Sequence, residues 1–187
     1  MQRTGVFGSA FNPPTRGHLD VLRQAASEFD TILLVPSAAH AFSKQSLPIE
    51  AREELLSAFC KDIKSISCEI EISLIEKDLY KQNPEHPVYT WTLLNSLSEQ
   101  HPDTQFSFIR GPDNASQEIW ERFYRYQDIE QRWPIFTAQE NIKARSTLVR
   151  QLIENSPSNI FPEQELSSLV TPSVLSLLRE KKSYRTQ

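Results

Sequence analysis

Gly5 to His18 (GVFGSAFNPPTRGH) is the segment whose residue types and spacing most plainly suit chemistry. The chain has four glycines, and Gly5, Gly8 and Gly17 all fall inside it. The remaining one, Gly111, follows an apolar run and opens a Gly-Pro-Asp-Asn loop. A chain so sparing with glycine is expected to place it where the backbone takes a positive φ, or where a ligand must approach without meeting a Cβ. Val6-Phe7 reads as the end of a buried strand, Pro13 and Pro14 pin the loop, and a helix is expected to open near Gly17-His18. Strand, tight loop and helix N-terminus together turn free N–H groups and the positive end of a helix dipole towards an anion. The chemistry expected here is phosphate binding, with His18 facing it.

A second candidate lies far along the chain, in Arg145-Ser146-Thr147-Leu148-Val149-Arg150. Ser146 and Thr147 taken alone suit a common helix N-cap, but Arg150 one turn later adds a cation and favours a phosphate-binding reading. Lys44 and His40 sit on a polar loop spanning residues 37–48, where a lysine is either solvated or a phosphate ligand. Trp120 lies among Phe123, Tyr124 and Tyr126, which fits ring stacking, core packing or a subunit contact. His86 and His101 have no partner at metal-ligand spacing. Glu50, Glu53 and Glu54 read as complement to a helix dipole.

The elements that must position these residues alternate. Apolar runs at Thr31–Pro36, Phe106–Ile109 and Pro134–Thr137, with alternation at Cys68–Ile72, predict strands after the first one. Between them, Leu19, Leu22, Ala26 and Phe29 recur at helical steps, as do Leu55, Leu56 and Phe59, and Leu93, Leu94 and Leu97. Ile119–Tyr126 is expected to form an aromatic-rich helix, Ser146–Glu154 another, and Pro172 to open a last one; Asn155–Glu165 reads as irregular. Single helices between strands imply right-handed crossovers and a parallel sheet. The expected fold is α/β: a Rossmann-like, doubly wound, five-stranded parallel sheet with helices on both faces and its ligand beyond the strands' carboxyl ends.

The 187 residues suit one domain, with residues 145–182 as a helical C-terminal part completing the phosphate site and 183–187 as a tail. A formal net charge of −4 argues against a nucleic-acid surface. No apolar run has transmembrane length, and strand-like sequence starts too early for a signal peptide, so a cytoplasmic protein is expected. Cys60 and Cys68 are too few and too widely spaced for a metal or redox unit. Neither GxGxxG nor the Walker GxxxxGK[ST] loop is present.

What stands in their place, GSAFNPPTRGH, resembles the first motif of the nucleotidyltransferase superfamily, GxFxPx(H/T)xGH, and its Phe11-Asn12-Pro13-Pro14 core is similar to the nicotinate/nicotinamide mononucleotide adenylyltransferases. Arg145–Arg150 is similar to that family's ISSTxIR, Ile109–Asp113 to its strand and GxD, Val88–Leu93 to its YTxxTL, and Leu169–Val174 to its closing LVPxxV. The resemblance implies adenylyl transfer from ATP to a pyridine mononucleotide, with release of pyrophosphate and magnesium carried on the triphosphate. His18 would contact the phosphates, with Thr15 and Arg150 beside it in catalysis. Backbone groups of Gly8, Ser9 and Phe11, with Gly17, would line the site; Gly111 and Asp113 would take the ribose, and Ser146, Thr147 and Arg150 the departing phosphates. Lys44 is the candidate for the mononucleotide phosphate, ahead of Arg52, while Thr90, Trp91 and Trp120 are candidates for the acceptor ring. No resident metal site is expected.

Three positions depart from the motifs: Thr15 stands where most pyridine-nucleotide members have His, Ala10 replaces Thr or Ser, and Arg145 replaces the first Ser. Phosphopantetheine adenylyltransferases also carry Thr at the first of these, which leaves transfer to another phosphate as the alternative enzyme. A nucleotide-binding sensor of little activity is the alternative of another class. Class I aminoacyl-tRNA synthetases share a similar histidine motif, but this chain is short and acidic for such work. Acceptor preference and oligomeric state, a homo-oligomer included, are not encoded in any motif.

Overall fold

The computed structural model describes residues 1–38, 46–157, 159–181 and 184. Five parallel strands, β1 (Gln2–Ser9), β2 (Thr31–Pro36), β3 (Glu69–Ile72), β4 (Thr104–Arg110) and β5 (Ile135–Thr137), form one sheet in the order β3-β2-β1-β4-β5. The chain therefore winds outwards from β1 one way, then returns to β1's other side for β4 and β5. That reversal opens a crevice above the ends of β1 and β4.

Side-chain alternation splits the core in two. Phe7, Ile32, Leu34 and Ile109 face one side, packed on α1 (Arg16–Ala25), α2 (Ile49–Asp62) and the C-terminal helices α7 (Ser146–Asn155), α8 (Glu163–Ser167) and α9 (Pro172–Glu180). Val6, Val35, Phe106 and Phe108 face the other, under α4 (Thr90–Gln100) and α6 (Tyr126–Arg132). The expected doubly wound sheet is thus the observed one: β1, β2, β4 and β5 feed both layers, and the edge strand β3 feeds only the first, through Ile70 and Ile72.

Three segments differ from expectation. The single helix expected over 119–126 is instead a short α5 (Gln117–Trp120), a turn, and α6, with Arg125 in the left-handed region (φ 56°) at the join. The cause is phase: at about 100° per residue, a straight helix would set Trp120 and Ile129 half a turn apart. The break lets Trp120, Ile129 and Trp133 all enter one core. A helix also forms at α3 (Ile75–Gln82), which no apolar stripe announced, and it carries a buried carboxylate, Glu76. Tyr184, expected in a free tail, packs on the first core cluster and donates its hydroxyl to Glu54. Cys60 and Cys68 are free thiols, and burial pushes Cys60 up to about 11, so it is no nucleophile. Among the described residues, no helix is long and apolar enough to cross a membrane.

Candidate active site

The loop after β1 turns sharply at Phe11, whose φ is 47°. The glycines do not take that role: none has a positive φ. Gly17 is required for a different reason. A Cβ there would lie 2.5 Å from the carbonyl oxygen of Ala144, so its absence lets the start of α1 close against the segment before α7. Gly8 has nothing nearer than 3.9 Å to its notional Cβ and faces open space at the strand end.

Three hydrogen bonds join the two distant motifs. The Thr15 hydroxyl donates to Ala144 O at 2.6 Å, Ser146 Oγ to Pro13 O at 2.7 Å, and Arg150 Nη1 to Asn12 O at 2.7 Å. His18 lies in the pocket so formed, its ring 4.9 Å from that of Phe11 and 6.0 Å from that of Phe7. The backbone N–H of Thr15 donates to His18 Nδ1 at 3.0 Å. That bond makes Nδ1 an acceptor and leaves the proton on Nε2, which is 3.1 Å from Ser9 Oγ at the cavity wall. Burial pushes the imidazole down from 6.5 to about 4, so at neutral pH it is an uncharged N–H donor.

The cavity above β1 and β4 has a volume of about 230 Å³. Gly8, Ser9, Thr15, Gly17 and His18 line one wall; Gly111 and Asp113 another; Ser146 and Thr147 a third. Phe11 and Arg150, expected on the wall, do not line it: Phe11 lies fully buried behind His18, and Arg150 braces the loop through Asn12. Thr15 is buried with its hydroxyl committed to Ala144 O and its backbone N–H to His18, so its part beside His18 is to position the ring.

Trp120 requires the larger correction. It is fully buried, stacked on Phe108 with the Phe123 ring tilted against it, Arg110 over its ring and Nε1 donating to Glu130 at 2.8 Å; no face is left for a ligand. Thr90 and Trp91 do not line the cavity either, and Arg125 covers the Trp91 ring at 4.0 Å. Beside them, Tyr89 and Tyr124 pair at 4.7 Å and stay 40% and 50% exposed. Lys44 and His40 lie outside the described residues.

Arg52, the second choice for a phosphate, is a buried strut. Its Nε, Nη1 and Nη2 donate to Leu47 O, Ala10 O and Ser37 O at 3.0, 2.8 and 2.9 Å, tying both ends of the loop after β2 to the loop after β1 at the sheet's ligand end. Glu76 accepts from Ala38 N at 2.8 Å nearby, and burial raises its carboxyl to about 7. The signal was present: Arg52, Leu55, Leu56 and Phe59 share one helical stripe. Also unforeseen was the path of Arg145, which lines the cavity and pairs with Asp113 at 3.0 Å and Glu140 at 2.8 Å. Among the described residues, no three His, Cys, Asp or Glu side chains gather to hold a metal.

This site agrees with what the chain matches. The model for the cytidylyltransferase-like family covers residues 6–152, most of the chain. The chain belongs to that family. It is 32% identical to a Vibrio parahaemolyticus protein of known structure assigned as a nicotinate-nucleotide adenylyltransferase, with a TM-score of 0.78 over 100% of this chain and 98% of that one. A Myxococcus xanthus protein assigned to the same activity is 28% identical over 179 residues, 88% of this chain and 90% of its own length. One from Desulfotalea psychrophila is 31% identical over 117 residues, a match spanning about half (53%) of that protein. The Plasmodium falciparum nicotinic acid mononucleotide adenylyltransferase, complexed with NaAD, shares the fold at a TM-score of 0.72 and 15% identity.

Proposed function

We infer that the protein transfers AMP from ATP to the 5′-phosphate of nicotinate mononucleotide, releasing pyrophosphate. One observation carries the reading: motifs from opposite ends of the chain close on a single cavity, with the His18 Nε2–H, the start of α7 and a guanidinium on its walls. The family match supports nucleotidyl transfer, and the near whole-length similarity to nicotinate-nucleotide adenylyltransferases supports the choice of acceptor.

The acceptor phosphate oxygen attacks the α-phosphorus in line; the new P–O bond forms as the bond to the β-phosphate oxygen breaks, and pyrophosphate takes the electron pair. The nucleophile is already an anion, so no general base is needed. The barrier is the approach of two polyanions and the charge gathered in the transition state. His18 donates Nε2–H to a phosphate oxygen, and a bound polyanion raises its basicity, so it can carry charge when the triphosphate is present. Gly8 admits the phosphates close to the backbone, and Ser146 and Thr147 receive the departing β,γ-phosphates at the start of α7. Gly111 and Asp113 take the ribose. Magnesium carried on the triphosphate would supply charge neutralisation. Lys44 remains the candidate for the acceptor's phosphate, and with Trp120 enclosed, the Tyr89–Tyr124 pair is an exposed aromatic surface, among the described residues, that suits the acceptor ring.

Offering nicotinate mononucleotide, nicotinamide mononucleotide and phosphopantetheine in parallel tests this. Pyrophosphate release is expected to be fastest with the first. Preference for phosphopantetheine would replace the reading, and ATP binding without release to any acceptor would make the protein a sensor.

A further inference from the structure

Arg145 is the single Lys or Arg among the described residues lining the cavity, which also bears three carboxylates, Asp20, Asp113 and Glu140. A triphosphate entering such a space meets more negative than positive charge. Arg150, the other guanidinium nearby, is turned onto Asn12 O. In the free state Arg145 donates Nη1 to Asp113 at 3.0 Å, and Nε and Nη2 to one Glu140 oxygen at 3.0 and 2.8 Å; Arg145 is 56%, Asp113 66% and Glu140 28% exposed, so the Asp113 pair is the more solvated. Exposed ion pairs of this kind are worth little. A guanidinium facing two phosphates gains stronger, forked, charge-assisted bonds. Arg145 also stands immediately before Ser146, as the residue that caps α7, so it needs no backbone shift to share a ligand with that helix start.

Resting on the adenylyl-transfer reading, we propose that Arg145 is an ATP-selecting residue that exchanges Asp113 and Glu140 for the departing phosphates. In the free protein the guanidinium neutralises both carboxylates. When ATP binds it moves to the β,γ-phosphates, and Asp113 is released to accept the ribose hydroxyls. Triphosphate and ribose recognition are thereby coupled through one side chain, and Glu140 competes with the nucleotide for it.

Binding of MgATP and of adenosine, measured by calorimetry, tests the exchange. Arg145→Ser should weaken ATP roughly 10- to 100-fold, the loss of a charge-assisted contact of about 1.5–3 kcal/mol. Adenosine, with no phosphate, should bind as well as before or better, because Asp113 is no longer occupied. Glu140→Gln should tighten ATP severalfold and leave adenosine unchanged, an effect that a merely structural pair would not give. An ATP-to-adenosine affinity ratio that is the same in Arg145→Ser and wild type overturns the proposal, as does weaker ATP binding in Glu140→Gln. Turnover of ATP with nicotinate mononucleotide by the wild type is measured alongside. Its absence would count against the enzymatic reading, while the ratio alone decides the role of Arg145.

Discussion

Thr15 and His18 meet twice at one nitrogen: the Thr15 N–H donates to His18 Nδ1 at 3.0 Å, and Thr15 Oγ1 lies 3.0 Å from the same atom. The hydroxyl's own proton is held by Ala144 O at 2.6 Å, so Oγ1 presents lone pairs to the ring. Neutral His18 accepts from the backbone, and protonated His18 can donate to Oγ1. A threonine in place of the more usual histidine thus supports both states of the imidazole. Thr15→Ser should retain activity. Thr15→Val should lower kcat about tenfold or more and cost about 1–2 kcal/mol, since Ala144 O loses its donor. His18→Ala should lower kcat by about 10²–10³, as for removal of a donor to transition-state charge, with the fold intact by circular dichroism. Near-normal turnover in His18→Ala would remove it from the mechanism.

Gly8 and Gly17 should respond oppositely to alanine. Gly17→Ala places a methyl 2.5 Å from Ala144 O and should lower stability by about 1–3 kcal/mol, read from the urea midpoint. Gly8→Ala meets nothing within 3.9 Å and should leave stability nearly unchanged while raising KM for ATP, because the methyl enters the cavity.

His18 and Glu76 should pull stability in opposite directions over one pH range. With its value depressed from 6.5 to about 4, His18 contributes stability that is complete above pH 6.5 and lost as pH falls towards 4. With its value raised from 4.5 to about 7, Glu76 contributes stability that is complete below pH 4.5 and lost as pH rises towards 7. Each effect is up to roughly 3 kcal/mol, and they largely cancel between pH 4.5 and 6.5. Relative to wild type, Glu76→Gln should therefore gain stability as pH rises across that window, and His18→Gln should lose it. Urea melts at three pH values read both differences, and parallel curves for variant and wild type would contradict the assignment.

Much of this was legible from residue order. Apolar runs gave away the five strands, and the glycine loops marked the two strands that border the crevice. The cavity wall formed by Ser9, His18, Asp113 and Ser146 follows from motifs that sequence alone displays. Other features depend on distant partners. Arg52 looks like any helix arginine until three carbonyls from the loops after β1 and β2 are known to converge on it. Arg145 could point inwards or outwards until Asp113 and Glu140 were located. Trp120 misled because aromatic residues suit ligands and cores alike, and only the half-turn phase shift to Ile129 hints that a broken helix buries both.

Trp120 itself supplies a check on that correction. Trp120→Phe should cost about 1–2 kcal/mol through the lost bond to Glu130 and the smaller ring, yet leave KM for the mononucleotide unchanged. A rise in that KM without a loss of stability would return Trp120 to the acceptor site.

The central claim is that one cavity, built by the two ends of the chain, transfers the α-phosphoryl group of ATP with its nucleoside. Incubation of the protein with α-labelled ATP and nicotinate mononucleotide tests it most directly. The label should pass into a dinucleotide in step with an equal amount of pyrophosphate, with none left on the protein. Label retained in AMP, bound covalently to the chain, or absent from any dinucleotide would contradict the account.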